Sequence, residues 1–130
     1  MPLQRLMSDR APPTGGAYVH AVRAGDLLFA SGQLARDREG RVVGAGDIEA
    51  QTAYVLENLQ AVLAEAGCTL ADVTKISTFV TDLRYRDRIT GVRRRYFGET
   101  LPASTMVQVS QLASPEMMIE IDAVALVPER

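Results

Sequence analysis

Two amphipathic segments with helical periodicity, separated by a β-branched run, limit the folds open to this chain. In residues 47–66 the apolar side chains recur at helical spacing and form one stripe, made of Val55, Leu56, Leu59, Val62, Leu63 and Ala66. Asp47 is placed to accept amide hydrogen bonds as the N-cap, and Gly67 suits the left-handed position just past a helix end. The pattern predicts a helix over residues 47–66.

The second segment predicts a helix from Asp82 to about residue 99, which Pro102 prevents from continuing. Its apolar residues share a single face, made of Tyr85, Ile89, Val92 and Tyr96. Its other faces carry a cluster of arginines, namely Arg84, Arg86, Arg88, Arg93, Arg94 and Arg95. Two interpretations of this cluster are open: a solvated helix face, or a surface that attracts anions.

Segments rich in β-branched or alternating residues predict strands around the helices. Their ranges are residues 18–24, 27–31, 73–81, 104–109 and 118–127, with a short edge strand at 41–43 and a lead-in segment at 1–14. Gly25 and Asp26 are a turn signal, so the first two strands form a hairpin. Because two amphipathic helices need one sheet face to cover, the predicted fold class is α+β, a two-layer sandwich.

Composition argues against several kinds of partner. The 130 residues, 47% apolar and 23% charged, are expected to form one domain over residues 1–130. A net charge of −2 argues against a nucleic-acid partner, and one cysteine with one histidine excludes a structural zinc site within a single chain. No apolar run reaches the ~18 residues of a membrane span. With no export signal at the N-terminus, the expected compartment is the cytoplasm.

Glu120 and Asp122 alternate with apolar residues in the last predicted strand, so they share one strand face. Two interpretations of this acidic pair are open. Both carboxylates are solvated, or another subunit covers the face and places a carboxylate in a partly buried cleft. In such a cleft Glu120 would act as a general base or orient a water molecule.

Several segments together resemble the Rid family, also called YjgF, the reactive-intermediate deaminases. They are GAYVHAVRAGDLLFASGQ from Gly16, LAEAGCTLADVTKISTFVTDL from Leu63, RRYFGE from Arg94, LPAST from Leu101 and IEIDAVALV from Ile119. The resemblance covers roughly residues 12–127. It implies a fold like that of the trimeric chorismate mutases, with a mixed six-stranded sheet backed by two helices. It also implies a homotrimer with small-molecule sites at its subunit interfaces, and hydrolysis of imines or enamines such as 2-iminobutanoate without a cofactor.

The resemblance carries site residues onto this chain one by one. The family's site tyrosine falls on Tyr18, and its serine and glycine fall on Ser31 and Gly32. The glutamate that holds the attacking water falls on Glu120. Where the family's second helix offers an asparagine, Thr90 stands here.

The chain departs from the family pattern after Pro102. Ser104 stands where the family has the arginine that clamps the substrate carboxylate. Thr105 comes next, and Met106 replaces a cysteine that helps position water in the family. Ser104 offers one neutral hydrogen bond in place of a bidentate, charge-assisted pair. Arg86, Arg93 and Arg94 lie three or four residues along the second helix from Thr90, at the family's asparagine position. Either all three are solvated, or one of them, with Arg93 and Arg94 as the candidates to test, replaces the arginine.

The sequence therefore supports two functions. The first is a trimer that acts on a small reactive metabolite by imine or enamine hydrolysis, with Glu120 orienting water and with weak or absent activity on 2-iminobutanoate. The alternative is a non-catalytic trimer that binds a small ligand or regulates a partner. A third reading, ribonuclease activity, is the least favoured because the chain is acidic overall and has one histidine.

Overall fold

In a computed structural model that describes residues 2–129, six strands form one sheet and two α-helices pack on one of its faces. The strands are β1 (Gln4–Leu6), β2 (Ala21–Ala24), β3 (Leu27–Leu34), β4 (Val73–Val80), β5 (Ala103–Gln108) and β6 (Ile119–Leu126). The helices are α1 (Ile48–Ala64) and α2 (Arg86–Phe97), and short 3-10 turns cover Leu70–Asp72 and Leu83–Tyr85. None of the helices in residues 2–129 is both long and apolar enough to cross a bilayer.

The strand order across the sheet is β1-β2-β3-β6-β4-β5. β4 and β5 run parallel, and the other neighbouring pairs are antiparallel, so the sheet is mixed. The predicted architecture, a two-layer α+β sandwich with a mixed six-stranded sheet, is confirmed. The hairpin predicted at Gly25 and Asp26 joins β2 to β3, and Gly25 adopts the positive φ of 62° that its turn requires.

The identity of one edge strand was predicted wrongly. Residues 41–43 form no strand, only an isolated bridge between Arg36 and Val42, while residues 4–6 of the predicted lead-in are β1. The buried His20 ring explains the difference, because it ties the N-terminal segment to the sheet. Its Nδ1 accepts a hydrogen bond from the Ser8 amide (2.9 Å), and its Nε2 donates to the Pro12 carbonyl (2.7 Å). Such a tertiary contact leaves no periodic signal in the local sequence.

The helices follow the predicted patterns with shifted ends. Asp47 caps α1 by accepting from the Ala50 amide (3.0 Å), and most of the predicted stripe is fully buried. Asp82 was predicted to cap the second helix. It instead accepts from the Arg84 amide (2.9 Å) and caps the 3-10 turn, so α2 begins four residues later.

The two faces of the sheet differ in cover. Side chains facing the helices are buried, among them Leu28, Ile76, Ile119, Ile121 and Ala125. The opposite face, termed here the outer face, leaves large apolar side chains partly exposed, namely Leu27, Phe29, Val107 and Leu126. Glu120 and Asp122 of β6 lie on the same face, where Leu34 and Phe79 are the strand partners of Glu120 and Ser77 is that of Asp122. A contiguous apolar surface of this kind is typical of a protein–protein interface.

Candidate functional site

Glu120 lies on the outer face between two neighbouring strands. It is in register with Leu34 of β3 and Phe79 of β4 and is half-buried. β3 contains an irregularity between Ala30 and Gln33, which places Ser31 and Gly32 in a bulge. A Cβ atom at Gly32 would overlap Oε2 of Glu120 and would lie 2.8 Å from its Cδ. The bulge therefore supports the Glu120 carboxyl group by direct contact with backbone that has no side chain.

Ser31 directly precedes Gly32 and hydrogen-bonds to the two residues that follow Tyr18. The Ser31 hydroxyl donates to the Val19 carbonyl (2.7 Å), and its amide donates to the His20 carbonyl (2.9 Å). Ser31 and Tyr18 line one open cavity of about 460 Å³, with Tyr18 46% exposed. The structure thus brings Tyr18, Ser31, Gly32 and Glu120 into one neighbourhood, termed here the glutamate group.

The electrostatic surroundings of Glu120 favour its protonated form. Burial raises the pKa of Glu120, the negative charge of Asp122 raises it further, and the positive charge of Arg36 opposes both effects. A carboxylate with raised proton affinity is a stronger base at neutral pH, which suits proton transfer from water.

Arg36 is a site residue that the sequence reasoning missed. Its Nη2 donates to the Pro13 carbonyl (3.1 Å), and its own carbonyl accepts from Asn58 Nδ2 of α1 (3.0 Å). Its Nε is buried and has no acceptor within residues 2–129. The only sequence signal is its position two residues after Leu34, the strand partner of Glu120, and the bulge makes that register hard to predict.

A second set of predicted residues gathers between α2 and the segment before β5. Thr90, Arg93 and Arg94 line a cavity of about 290 Å³, together with Phe97, Leu101 and Pro102. Arg93 Nη2 donates to the Ser104 hydroxyl (3.0 Å), while its Nε is buried without an acceptor in the described residues. Burial lowers the pKa of Arg93. Thr90, Arg93, Arg94 and Ser104 are termed here the arginine group.

The two remaining predicted residues join neither group by a hydrogen bond. Thr105 lies on the outer face and accepts from Lys75 Nζ (2.6 Å), while Met106 packs against the core from the helix side. Within residues 2–129 no hydrogen bond or ion pair connects the glutamate group to the arginine group. No three His, Cys, Asp or Glu side chains in that range lie together as metal ligands.

Comparison with known proteins identifies the family. The family profile described as endoribonuclease L-PSP matches residues 8–127. A solved structure of a conserved Rid-family protein from Yersinia pestis is 33% identical and has a TM-score of 0.91, with coverage of 97% of this chain and 100% of that one. The chain belongs to the Rid family. The resemblance predicted from the quoted motifs is therefore confirmed, and the fold is the chorismate-mutase-like fold of Rid proteins.

Two further Rid relatives carry names that describe an activity or a ligand. The 3-aminoacrylate deaminase RutC of Acinetobacter baylyi is 39% identical, with coverage of 96% of this chain and 98% of RutC. The structure of Escherichia coli TdcF, described with bound serine, is 31% identical and has a TM-score of 0.87, with coverage of 95% and 98%.

Proposed function

We propose that this Rid protein hydrolyses a small imine or enamine, and that Glu120 takes the proton from the attacking water. The observation that carries the proposal is the placement of Glu120: a half-buried carboxylate of raised pKa, held against Gly32 and adjacent to Ser31. The deaminase activity named for the RutC relative supports the same class of reaction.

The reaction needs only water and a base. Water adds to the carbon of the C=N bond while Glu120 accepts one of its protons, and this proton then reaches the nitrogen. The hydroxyl proton of the resulting carbinolamine then also moves to the nitrogen as the C–N bond breaks, so ammonia leaves and a carbonyl remains in place of the imine. An enamine enters the same path after a proton moves to its β-carbon. General base assistance of this kind contributes about 10²- to 10⁴-fold to rate.

The proposal places the site between subunits of a homotrimer. Exposed apolar side chains, among them Phe29 and Leu126, lie on the same outer face as Glu120, and other copies of the chain would cover that face. Covering that face excludes bulk water from the carboxylate, which strengthens its interactions with a bound imine. A neighbouring subunit would also bring its own arginine group close to the glutamate group.

The alternative function is a trimer that binds a small ligand without chemistry. Ser104 favours this alternative, because it stands where the family's carboxylate-binding arginine is expected. The serine bound to TdcF indicates that at least one Rid relative holds a small amino acid.

An ammonia-release assay separates the two functions. The substrates are 2-iminobutanoate generated in situ and 3-aminoacrylate, and turnover is compared between wild type and Glu120→Gln. We expect wild type to turn over more slowly than a relative that has arginine at the position of Ser104. In Glu120→Gln we expect a further loss of turnover of about 100-fold or more. Glu65→Gln is the matched control, since it makes the same chemical change at an exposed glutamate at the end of α1, outside the glutamate group. Binding of the product keto acid without turnover in wild type would favour the non-catalytic function.

A further inference from the structure

Arg93 is a partly buried cation with no anionic partner among the described residues. The ion pairs there involve Arg23, Arg41, Arg84 and Arg88, and none includes Arg93. The neutral Ser104 hydroxyl is the group that accepts from its guanidinium. A charge withdrawn from water without a counter-charge is costly, so this arrangement is suited to receive an anion from outside the chain.

The cavity beside Arg93 has the chemistry of a site for a small organic anion. It measures about 290 Å³, and Arg94 adds a second positive charge to its wall. No Asp or Glu lines it, while Phe97, Leu101 and Pro102 give it an apolar side. An anion that carries a short carbon chain meets both kinds of surface.

We propose that Arg93, assisted by Ser104, binds the carboxylate of a small ligand in this cavity. Arg93 lines the cavity, and its Nη2 donates to the Ser104 hydroxyl, which keeps its own proton to donate. The planar fork of guanidinium N–H groups matches the two oxygens of a carboxylate. A singly charged carboxylate also balances the one partly buried guanidinium, whereas a phosphate brings close to two negative charges.

That the bound carboxylate belongs to the substrate rests on the proposed function. The binding of a carboxylate by Arg93 does not depend on that function. A carboxylate from a second copy of the chain has the same chemistry. The arms of the experiment therefore separate a ligand from a neighbouring subunit.

The experiment titrates the full-length protein with 2-oxobutanoate by calorimetry and records its mass by light scattering. Arg93→Gln removes the charge and leaves a shorter polar side chain, and we expect its Kd to rise about 30-fold or more. Ser104→Ala is expected to weaken binding about five-fold, as for the loss of one neutral hydrogen bond. Arg95→Ala is the matched control, because Arg95 is exposed on the same helix and is not part of the cavity wall. Its Kd is expected to stay within about two-fold of wild type.

Four results would overturn the proposal: no binding of 2-oxobutanoate by wild type, unchanged binding by Arg93→Gln, tighter binding of inorganic phosphate than of 2-oxobutanoate, or loss of the native mass in Arg93→Gln. The last result would assign Arg93 to a neighbouring subunit. Arg93→Lys retains the charge, so partial recovery of binding in that variant supports a role in ligand recognition rather than in folding. If Arg93→Gln loses binding but wild type releases no ammonia, the carboxylate site holds and the proposed hydrolysis fails.

Discussion

At Glu120, burial, Asp122 and Arg36 together set the proton affinity of one carboxyl group. The ionised form of Glu120 is the form that accepts a proton from water. Because burial and Asp122 raise its pKa, kcat/KM is expected to fall on the acid side at a pH above the ordinary glutamate pKa of about 4.3. Arg36→Leu removes the opposing positive charge, so the acid limb should move to still higher pH. The measurement is kcat/KM from about pH 4 to 8, with exposed Arg38→Leu as the control.

The same pKa has a consequence for stability, with a defined sign. The folded protein holds the Glu120 proton more tightly than the unfolded chain does. The contribution of Glu120 to the free energy of unfolding therefore decreases as pH rises from below about 4.3 through the raised pKa. Glu120→Gln should gain stability relative to wild type at neutral pH, and the gain should vanish in acid. A constant difference across urea melts at both pH values would contradict the assigned shift.

Single residues differed in how well the sequence predicted them. Motif positions placed Tyr18, Ser31, Gly32 and Glu120, and the structure brings these four together. Their roles in binding or catalysis stay predictions. Helical spacing placed Arg93 and Arg94 beside Thr90, and all three line one cavity. The hydrogen bond from Arg93 to Ser104 joins residues 11 apart on different elements, so no local pattern distinguished Arg93 from Arg94.

At the scale of elements, the bulge in β3 determines where the Glu120 carboxyl group lies. Gly32→Ala adds a Cβ that meets the flexible end of the Glu120 side chain, so that side chain can move aside at modest cost. Displacement by about 1 Å is enough to reduce a reaction rate about 100-fold. We therefore expect a large loss of turnover with a small change in the free energy of unfolding. Ammonia release and urea unfolding measure the two quantities.

Gly91→Ala is the control for this prediction. Gly91 lies in α2, and a Cβ there would have no neighbour within 4 Å. The change should stabilise the helix by up to about 1 kcal/mol and leave turnover unchanged. Equal turnover in Gly32→Ala and wild type would show that the Gly32 contact does not position Glu120.

Elements with strong periodicity were predictable, and those formed by tertiary contacts were not. The apolar stripe of α1 and the β-branched run of β4 predicted the ends of both elements to within about two residues. β1 is three residues long and pairs only with β2, and His20 anchors the segment that follows it, so its sequence alone resembles a loop. Asp82 caps the 3-10 turn before α2, so the capping signal was real but marked the start of that turn and not of the α-helix.

At the scale of the whole molecule, the proposed homotrimer forms through the outer face. A homotrimer should scatter light as about three times the 14.1 kDa chain. Phe29, 46% exposed at the centre of this face, is the residue whose replacement by Asp should dissociate the trimer. Turnover should fall with the mass, because the site would lose its second subunit. Leu83→Asp is the control, since Leu83 is similarly exposed but lies in the turn before α2. A wild-type monomer at micromolar concentration would contradict the trimer.

The separation of the glutamate group from the arginine group has a genetic consequence. If one chain supplies Glu120 and its neighbour supplies Arg93, two chains that are each inactive can restore one another. When Glu120→Gln and Arg93→Gln chains are unfolded, mixed and refolded, random assortment places both native residues at about a quarter of the interfaces. Coexpression of the two variants should therefore complement a defect that neither complements alone. Recovery of ammonia release would identify each subunit as half of a shared site.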